Sequence, residues 1–141
     1  MVMVDIKRGL QLLHVDDDVV DATSLRRSLD KLKLSHQLRH AANGRKALDM
    51  LQQDPAYRPD VILLDLNMPV MGGLEFLKEL RQDSRLKSIT VFILSTSDFP
   101  PDVSAAYSLN VAGYLVKPFS SSEFNIMLDQ LFRLLAVYEF P

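Results

Sequence analysis

The sequence predicts an α/β protein, a doubly wound (βα)5 three-layer sandwich with a five-stranded parallel sheet and helices on both faces. Three observations support this fold class. Short apolar runs alternate five times with longer segments of helical period. Such strict alternation calls for parallel strands joined by right-handed crossovers. The run from Asp60 to Asp65 is apolar without alternation, which is typical of a central parallel strand covered on both faces.

The first two strand–helix units occupy the N-terminal part of the chain. Leu10–Val15 is the first predicted strand, and a helix follows from Val19 to about Lys33. Its predicted apolar face carries Val20, Leu25, Leu29 and Leu32. A weaker strand contains Leu38. Asn43 can cap the second helix, which ends before Pro55.

The third and fourth units follow the same plan. Asp60–Asp65 is the third strand, and Gly72–Gly73 opens the third helix. The fourth strand spans Ile89–Leu94. Pro100 begins the fourth helix because proline fits a first helical turn, and Asp102 can cap it.

The last unit combines a strand at Val111–Val116 with a helix to about Tyr138. Ser120 and Glu123 have the spacing of a capping box at the start of this helix. The predicted core-facing stripe is Phe124, Met127, Leu128, Leu131, Leu134, Leu135 and Tyr138. Further apolar residues lie outside it: Ile126, Phe132, Ala136, Val137 and Phe140. This apolar surplus predicts a protein partner or a homodimer.

Composition narrows the class of protein. The 141 residues are 48% hydrophobic and 24% charged, as in an ordinary globular protein, and they include no cysteine. Thiol catalysis and cysteine metal sites are therefore excluded. The net charge of −2, without a run of Lys or Arg, disfavours nucleic acid and anionic membranes as partners. We predict one cytoplasmic domain over residues 1–141, with its core at about 9–138 and no output domain.

Polar side chains stand where four of the predicted strands end. Asp16, Asp17 and Asp18 follow the first strand; Asp65, Ser95 and Lys117 end the third, fourth and fifth. Ligands bind at this edge of a doubly wound sheet. Each group alone has an ordinary structural role, such as a helix cap for Asp17 or Asp18. Three carboxylates in one cleft, however, repel each other unless a cation or protonation relieves them, and such oxygen ligands suit Mg²⁺.

The sequence resembles the receiver domains of two-component response regulators over nearly its whole length. The segments that carry the resemblance are Val15–Asp17, Asp65–Gly73, Leu94–Thr96 and Tyr114–Phe119. Each lies at a predicted strand end, in the order and at the spacings familiar from this family. The resemblance implies a CheY-like, flavodoxin-like fold and a function in phosphoryl signalling.

The resemblance also implies a cofactor and a nucleophile. Asp65 corresponds to the phosphoacceptor, which takes a phosphoryl group from a histidine kinase. Asp16 and Asp17 correspond to the acidic pair that holds Mg²⁺, to which Asn67 adds its backbone carbonyl.

Three further positions match the family's switch. The resemblance implies that Lys117 and the Ser95 hydroxyl bind the phosphoryl oxygens, and that Tyr114 moves with Ser95. It also implies a cis peptide bond between Lys117 and Pro118.

The function implied is that of a single-domain response regulator, which catalyses only its own phosphoryl transfer and dephosphorylation and is not otherwise an enzyme. Its partners would be a histidine kinase or a phosphotransfer protein, and a downstream protein target. The segments Ser95–Asp98 and Ala106–Leu109 are similar to regulators associated with phytochrome-type kinases. One alternative is a pseudo-receiver that binds partners without being phosphorylated. A phosphohydrolase is disfavoured because Asn67 stands where its second Asp would be, and a flavodoxin-type cofactor binder because no phosphate loop follows the first strand.

The histidines predict no metal site. His36 and His40 would lie about 13 Å apart along a strand, too far to share one ion. His14, inside the first strand, is predicted to be a tolerated or hydrogen-bonded core residue.

Overall fold

The computed structural model describes residues 9–32 and 35–141. The strands are β1 (Leu10–Val15), β2 (His36–Ala41), β3 (Val61–Leu64), β4 (Thr90–Ser95) and β5 (Gly113–Val116). The helices are α1 (Val19–Lys31), α2 (Gly44–Gln53), α3 (Gly73–Gln82), α4 (Pro100–Ser108) and α5 (Ser121–Leu135). Strands and helices alternate strictly along the chain, as predicted.

The five strands form one parallel sheet in the order β2-β1-β3-β4-β5. In register, Leu12 of β1 lies opposite Val61 of β3, and Phe92 of β4 lies opposite Gly113 of β5. From β1 the chain adds β2 on one side of the sheet, and it then adds β3, β4 and β5 in turn on the other side. The order therefore switches between β1 and β3, and a cleft opens beyond the carboxyl ends of these two strands.

Each face of the sheet carries its own apolar core. Val61 and Leu63 of β3 pack with α1 and α5, whereas Ile62 and Leu64 pack on the opposite face with α2, α3 and α4. All four side chains are fully buried. The sequence of β3 is apolar without alternation because helices cover both faces of this strand, as predicted. The three-layer sandwich is confirmed. In the described ranges, no helix is long and apolar enough to cross a membrane.

Side-chain caps fix the starts of three helices. Asp18 is the N-cap of α1 and accepts hydrogen bonds from the backbone N–H groups of Val20 and Asp21. The predicted caps Asn43 and Ser120 accept from the third residue beyond them. Each cap satisfies N–H groups that have no partner inside the helix.

Two helix predictions need correction. Val20 was assigned to the apolar face of α1 but is 71% exposed, since the first turn of α1 does not pack on the core. Asp102 does not cap α4. It lies inside the first turn, where its carboxylate accepts the Ser97 hydroxyl at 2.7 Å, while Phe99 is the N-cap. Helix α1 ends at Lys31, and Lys33 lies outside the described residues.

The buried face of α5 also differs from the prediction. Phe132 was assigned to the surface surplus but is fully buried, whereas Leu134, assigned to the core stripe, is 49% exposed. Helix α5 packs against α1 as well as the sheet, and Ser28 of α1 donates to Asp129 of α5. This second neighbour turns the buried face toward Phe132. The helix ends at Leu135, before Tyr138.

Candidate functional site

The polar residues at the strand ends are positioned by the backbone of the sheet itself. The N–H of Asp65 donates to the carbonyl of Val15 at 2.9 Å, and the N–H of Lys117 donates to that of Ser95 at 2.7 Å. The N–H of Asp16 continues the β1–β2 pairing in the same way. The parallel ladder therefore extends one residue past the regular strands, and it carries these side chains into the cleft.

Three carboxylates meet in that cleft. Asp16, Asp17 and Asp65 each offer an oxygen, and the three oxygens lie within 4.8 Å of one another. Asp16 and Asp65 are buried, whereas Asp17 is exposed. In the described part of the chain this is the one group of three His, Cys, Asp or Glu side chains close enough to share an ion. A set made only of carboxylate oxygens suits a hard divalent cation.

Lys117 supplies the positive charge of the site. Its ammonium group is buried and donates to Asp16 Oδ2 at 2.7 Å and to Asp21 Oδ2 at 2.8 Å. Burial disfavours the charged lysine, but the two carboxylates outweigh it and raise the pKa of Lys117. The acceptors of the ammonium among the described residues are therefore Asp16 and Asp21, and its interaction with Asp65 is through charge alone.

Asp16 is held as a carboxylate. Burial acts to raise its pKa, but hydrogen bonds from His14, Lys117 and the Asp18 N–H together lower the pKa to about 2. The Asp18 N–H lies 2.9 Å from Asp16 Oδ1. Nε2 of His14 lies 3.5 Å from Oδ2, and Nε2 of His40 lies 2.8 Å from the Asp16 carbonyl oxygen. Asp16 therefore stays ionised near neutral pH.

The pKa of Asp65 is shifted in the opposite direction. Burial raises its pKa to about 6, and the nearby charge of Asp16 adds to the increase. The attraction of Lys117 and the N–H groups of Asn67 and Leu66 offset only part of it. Asp65 is thus a buried, poorly solvated carboxylate beside the other two acidic side chains of the cleft.

Ser95 and Tyr114 are connected through the loop after β4. Ser95 is fully buried, and its Oγ accepts the N–H of Ser97 at 3.2 Å. The Tyr114 hydroxyl donates to the Ser97 carbonyl at 2.7 Å. A displacement of the loop at Ser97 would therefore affect both predicted switch residues.

The loop after Asp65 ends at Gly73, where there is no room for a side chain. Gly73, the first residue of α3, donates its N–H to the Leu66 carbonyl at 2.9 Å. A Cβ atom on Gly73 would lie 2.3 Å from the carbonyl oxygen of Asp65. A glycine at this position lets α3 begin directly against the backbone of Asp65. Asn67 is exposed in the same loop, at the cleft.

Sequence reasoning missed some of the residues that make up this site. Asp21 carried no distinguishing signal, because an acidic residue in a first helical turn has an ordinary interaction with the helix dipole. His14 was predicted only as a core histidine, without its position behind Asp16. The expected cis bond is wrong: no peptide bond in the described ranges is cis. Lys117 reaches Asp16 across a trans bond, which is the intrinsically preferred isomer before proline.

Comparison with known proteins identifies a matching family. The model of the response regulator receiver domain matches residues 12–129. Response regulator Rcp1 of Synechocystis sp. is 39% identical over 110 residues, which are 75% of each chain. The probable methanogenesis regulatory protein FilR2 of Methanothrix harundinacea is 30% identical over 123 residues, 85% of this chain and 79% of that protein.

Solved structures agree. The Mn²⁺-bound form of response regulator Rcp1 superposes with a TM-score of 0.87 at 31% identity, covering 93% of this chain and 99% of that one. The phosphorylated cyanobacterial phytochrome response regulator RcpA superposes with a TM-score of 0.88 at 29% identity, covering 94% and 99%.

Proposed function

The chain belongs to the response regulator receiver family, and on that premise we propose that it accepts a phosphoryl group on Asp65 in two-component signalling. The observation that carries the proposal is the environment of Asp65. It is a buried carboxylate at the switch point of the sheet, with Asp16, Asp17 and Lys117 around it.

A divalent cation, Mg²⁺ under cellular conditions, fits the donor set of this site. The three clustered carboxylates would hold it, with the Asn67 backbone carbonyl as a further oxygen ligand. When bound, it supplies positive charge that neutralises the cluster and the phosphoryl oxygens. The Mn²⁺-bound structure of Rcp1 supports a divalent cation in a relative of this chain.

The reaction is a transfer from a phosphohistidine to a carboxylate. An oxygen of Asp65 attacks phosphorus and forms a P–O bond; the P–N bond to the donor imidazole breaks, its electron pair stays on the ring, and the imidazole takes up a proton from water as it leaves. Lys117 and the Ser95 hydroxyl bind the phosphoryl oxygens. Such transfer depends mainly on positioning and charge neutralisation, which is what a fixed ammonium and a fixed hydroxyl provide.

The switch connects Ser95 to Tyr114. When the Ser95 hydroxyl turns toward the phosphoryl group, it gives up its bond from the Ser97 N–H. The β4–α4 loop then moves, and the bond of Tyr114 to Ser97 transmits the movement to the face formed by α4, β5 and α5. Phosphorylation shifts an existing equilibrium between two conformations of this face, and the downstream protein binds one of them.

The donor is a sensor histidine kinase, or a phosphotransfer protein of the same pathway. The similarity to Rcp1 and RcpA supports a kinase of the phytochrome type. A donor of this kind would place the protein in the cytoplasm.

Intact-mass spectrometry after incubation with acetyl phosphate tests the proposal. We expect one phosphoryl group to be added in the presence of Mg²⁺, none in EDTA, and none on Asp65→Asn. Asp98→Asn, an exposed residue in the β4–α4 loop, should be labelled like the wild type. If the wild type gains no mass under conditions that label other receivers, the protein is a pseudo-receiver.

A homodimer through the exposed end of α5 is a second proposal on partners. Ile126, Leu134 and Val137 are 58%, 49% and 64% exposed, so α5 and the segment after it retain apolar surface. Leu134→Glu should lower the mass measured by light scattering, whereas Asn125→Asp, at an exposed position about 180° around α5 from Leu134, adds the same charge and should not. An unchanged mass in Leu134→Glu would exclude this interface. Phe132 is unsuitable for the test because it is buried.

A further inference from the structure

The Lys117 ammonium is shared between two carboxylates, and the second of them, Asp21, lies outside the acidic cluster. Asp21 lies in the first turn of α1, and its Oδ2 accepts the Lys117 ammonium at 2.8 Å. Asp16 Oδ2 accepts the same ammonium at 2.7 Å. Two of the three N–H bonds of Lys117 are therefore committed to carboxylates other than Asp65.

The two acceptors differ in what happens when the lysine leaves. The Asp16 side chain is fully buried, so losing Lys117 would leave a carboxylate that water cannot reach. Asp16 would keep only the Asp18 N–H and His14 as partners, and a buried carboxylate that loses its ammonium is strongly disfavoured. The Asp21 side chain is 20% exposed, so water can replace the ammonium there. When Lys117 turns toward Asp65, the bond to Asp21 is therefore the one that breaks at the lower free-energy cost.

We propose that Asp21 is a positioning residue that holds the Lys117 ammonium away from Asp65 in the unphosphorylated protein and competes with the phosphoryl group for it. This inference rests on the proposed phosphorylation of Asp65. In this proposal, a Lys117 ammonium that turns to bind the phosphoryl oxygens gives up its bond to Asp21. The pair of Asp21 and Lys117 therefore lowers the population and the lifetime of the phosphorylated state.

Asp21→Asn tests the competition with little change in shape. The amide oxygen still accepts a hydrogen bond, but a neutral acceptor binds an ammonium less strongly than a carboxylate does. The N–H of Asp21, which donates to the Asp18 cap, is unaffected. Asp18→Asn is the matched control because it removes one negative charge from the same end of α1, does not contact Lys117, and keeps a good N-cap residue.

The first measurement is the affinity for beryllofluoride, a phosphoryl mimic, followed by ¹⁹F NMR at saturating Mg²⁺. We expect Asp21→Asn to bind on the order of five- to tenfold more tightly than the wild type, since a charged hydrogen bond no longer opposes the complex. Asp18→Asn should stay within about twofold of the wild type, as expected for an exposed charge in salt. Asp21→Glu, which restores the charge, should return the affinity toward the wild-type value. Equal affinities for Asp21→Asn and Asp18→Asn, or weaker binding by Asp21→Asn, would overturn the proposal.

The second measurement needs no phosphorylation. In ¹⁵N-lysine NMR spectra of the free protein, the ammonium resonance of Lys117, assigned by its loss in Lys117→Arg, should shift in Asp21→Asn and not in Asp18→Asn. An unshifted resonance in Asp21→Asn means that the ion pair is absent and the inference is wrong. A wild type that binds no beryllofluoride while this resonance shifts would contradict the proposed function but retain the ion pair.

Discussion

At the scale of single residues, Asp65 links the chemistry of the site to the stability of the fold. Its pKa of about 6 lies above the ordinary value of 3.8 because the carboxyl group is buried. A carboxyl group whose pKa is higher in the folded state stabilises that state while it is protonated, fully so below its unfolded pKa. This contribution is lost as the pH rises through about 6.

Asp65→Asn should therefore stabilise the metal-free protein at alkaline pH. At about pH 8 we expect the free energy of unfolding to rise by on the order of 2 kcal/mol, and the gain to vanish near pH 4. Urea unfolding in EDTA at several pH values measures this. A gain of equal size at both ends of the pH range would show that ionisation of Asp65 is not its cause, and Asp98→Asn should show no such pH dependence.

Gly73 matters because of the atoms that face its missing side chain. In Gly73→Ala the new Cβ would lie 2.3 Å from the Asp65 carbonyl oxygen, so the backbone of one or both must move. We expect a loss of about 2–4 kcal/mol in stability and a severalfold slower labelling by acetyl phosphate. In the control Gly72→Ala the nearest atom, the Leu66 carbonyl oxygen, is 3.2 Å away. Similar losses in the two variants would mean that this contact does not position Asp65.

At the scale of elements, one arginine ties the end of α3 to two neighbouring segments. Arg81 lies in the last turn of α3, and its guanidinium donates to four backbone carbonyls at 2.7 to 3.0 Å. These carbonyls belong to Lys87, Ile89, Leu109 and Asn110. They lie before β4 and between α4 and β5. Arg81 therefore fixes the two segments that lead into β4 and β5.

Arg81→Lys should lose most of these contacts because a single ammonium cannot reach the acceptors that the planar guanidinium spans. We expect a loss of about 2–3 kcal/mol in the free energy of unfolding, close to that of Arg81→Met. Thermal and urea unfolding measure the change, with the exposed Lys78→Met on the same helix as the control. If Arg81→Lys retained wild-type stability, the four bonds would contribute little.

Most of the element bounds were predicted from the sequence to within a residue or two, although α5 ends three residues before Tyr138. Strand β1 has the predicted bounds, and Asn43 and Ser120 cap as their side chains indicate. The buried face of α5 was not predicted correctly, because Phe132 and Leu134 both fit a broad apolar stripe. Only the packing of α1 against α5 decides which of them is buried, and that contact joins segments far apart in the chain.

The same distinction applies to the candidate site. The convergence of Asp16, Asp17 and Asp65 could be predicted because parallel strands bring their carboxyl ends to one edge. The link from Lys117 to Asp21 could not, since it depends on how closely the first turn of α1 approaches the end of β5. Acidic residues of α1 are equivalent in the sequence pattern until the helix has docked.

At the scale of the whole molecule, the acidic cleft lowers the stability of the fold unless a cation compensates. The cleft holds two buried carboxylates and an exposed one, and the ammonium of its lysine is hydrogen-bonded to only one of them, Asp16, and to Asp21. A ligand that binds only the folded state stabilises it by RT ln(1 + [L]/Kd). Binding of a divalent cation should therefore be measurable as a change in the global unfolding transition.

Replacing EDTA with Mg²⁺ at roughly 10 to 100 times its Kd should raise Tm by about 5 °C. The shift should be smaller at about pH 5 than at pH 8, because protons compete with the cation for Asp65, whose pKa is about 6. Asp17→Asn should lose most of the shift, since it removes the one exposed carboxylate of the cluster, while Asp18→Asn next to it should keep the shift. A shift of equal size in Asp17→Asn would place the cation elsewhere on the molecule. It would then fail to relieve the repulsion around Asp65, and Asp65→Asn would remain stabilising in the presence of Mg²⁺.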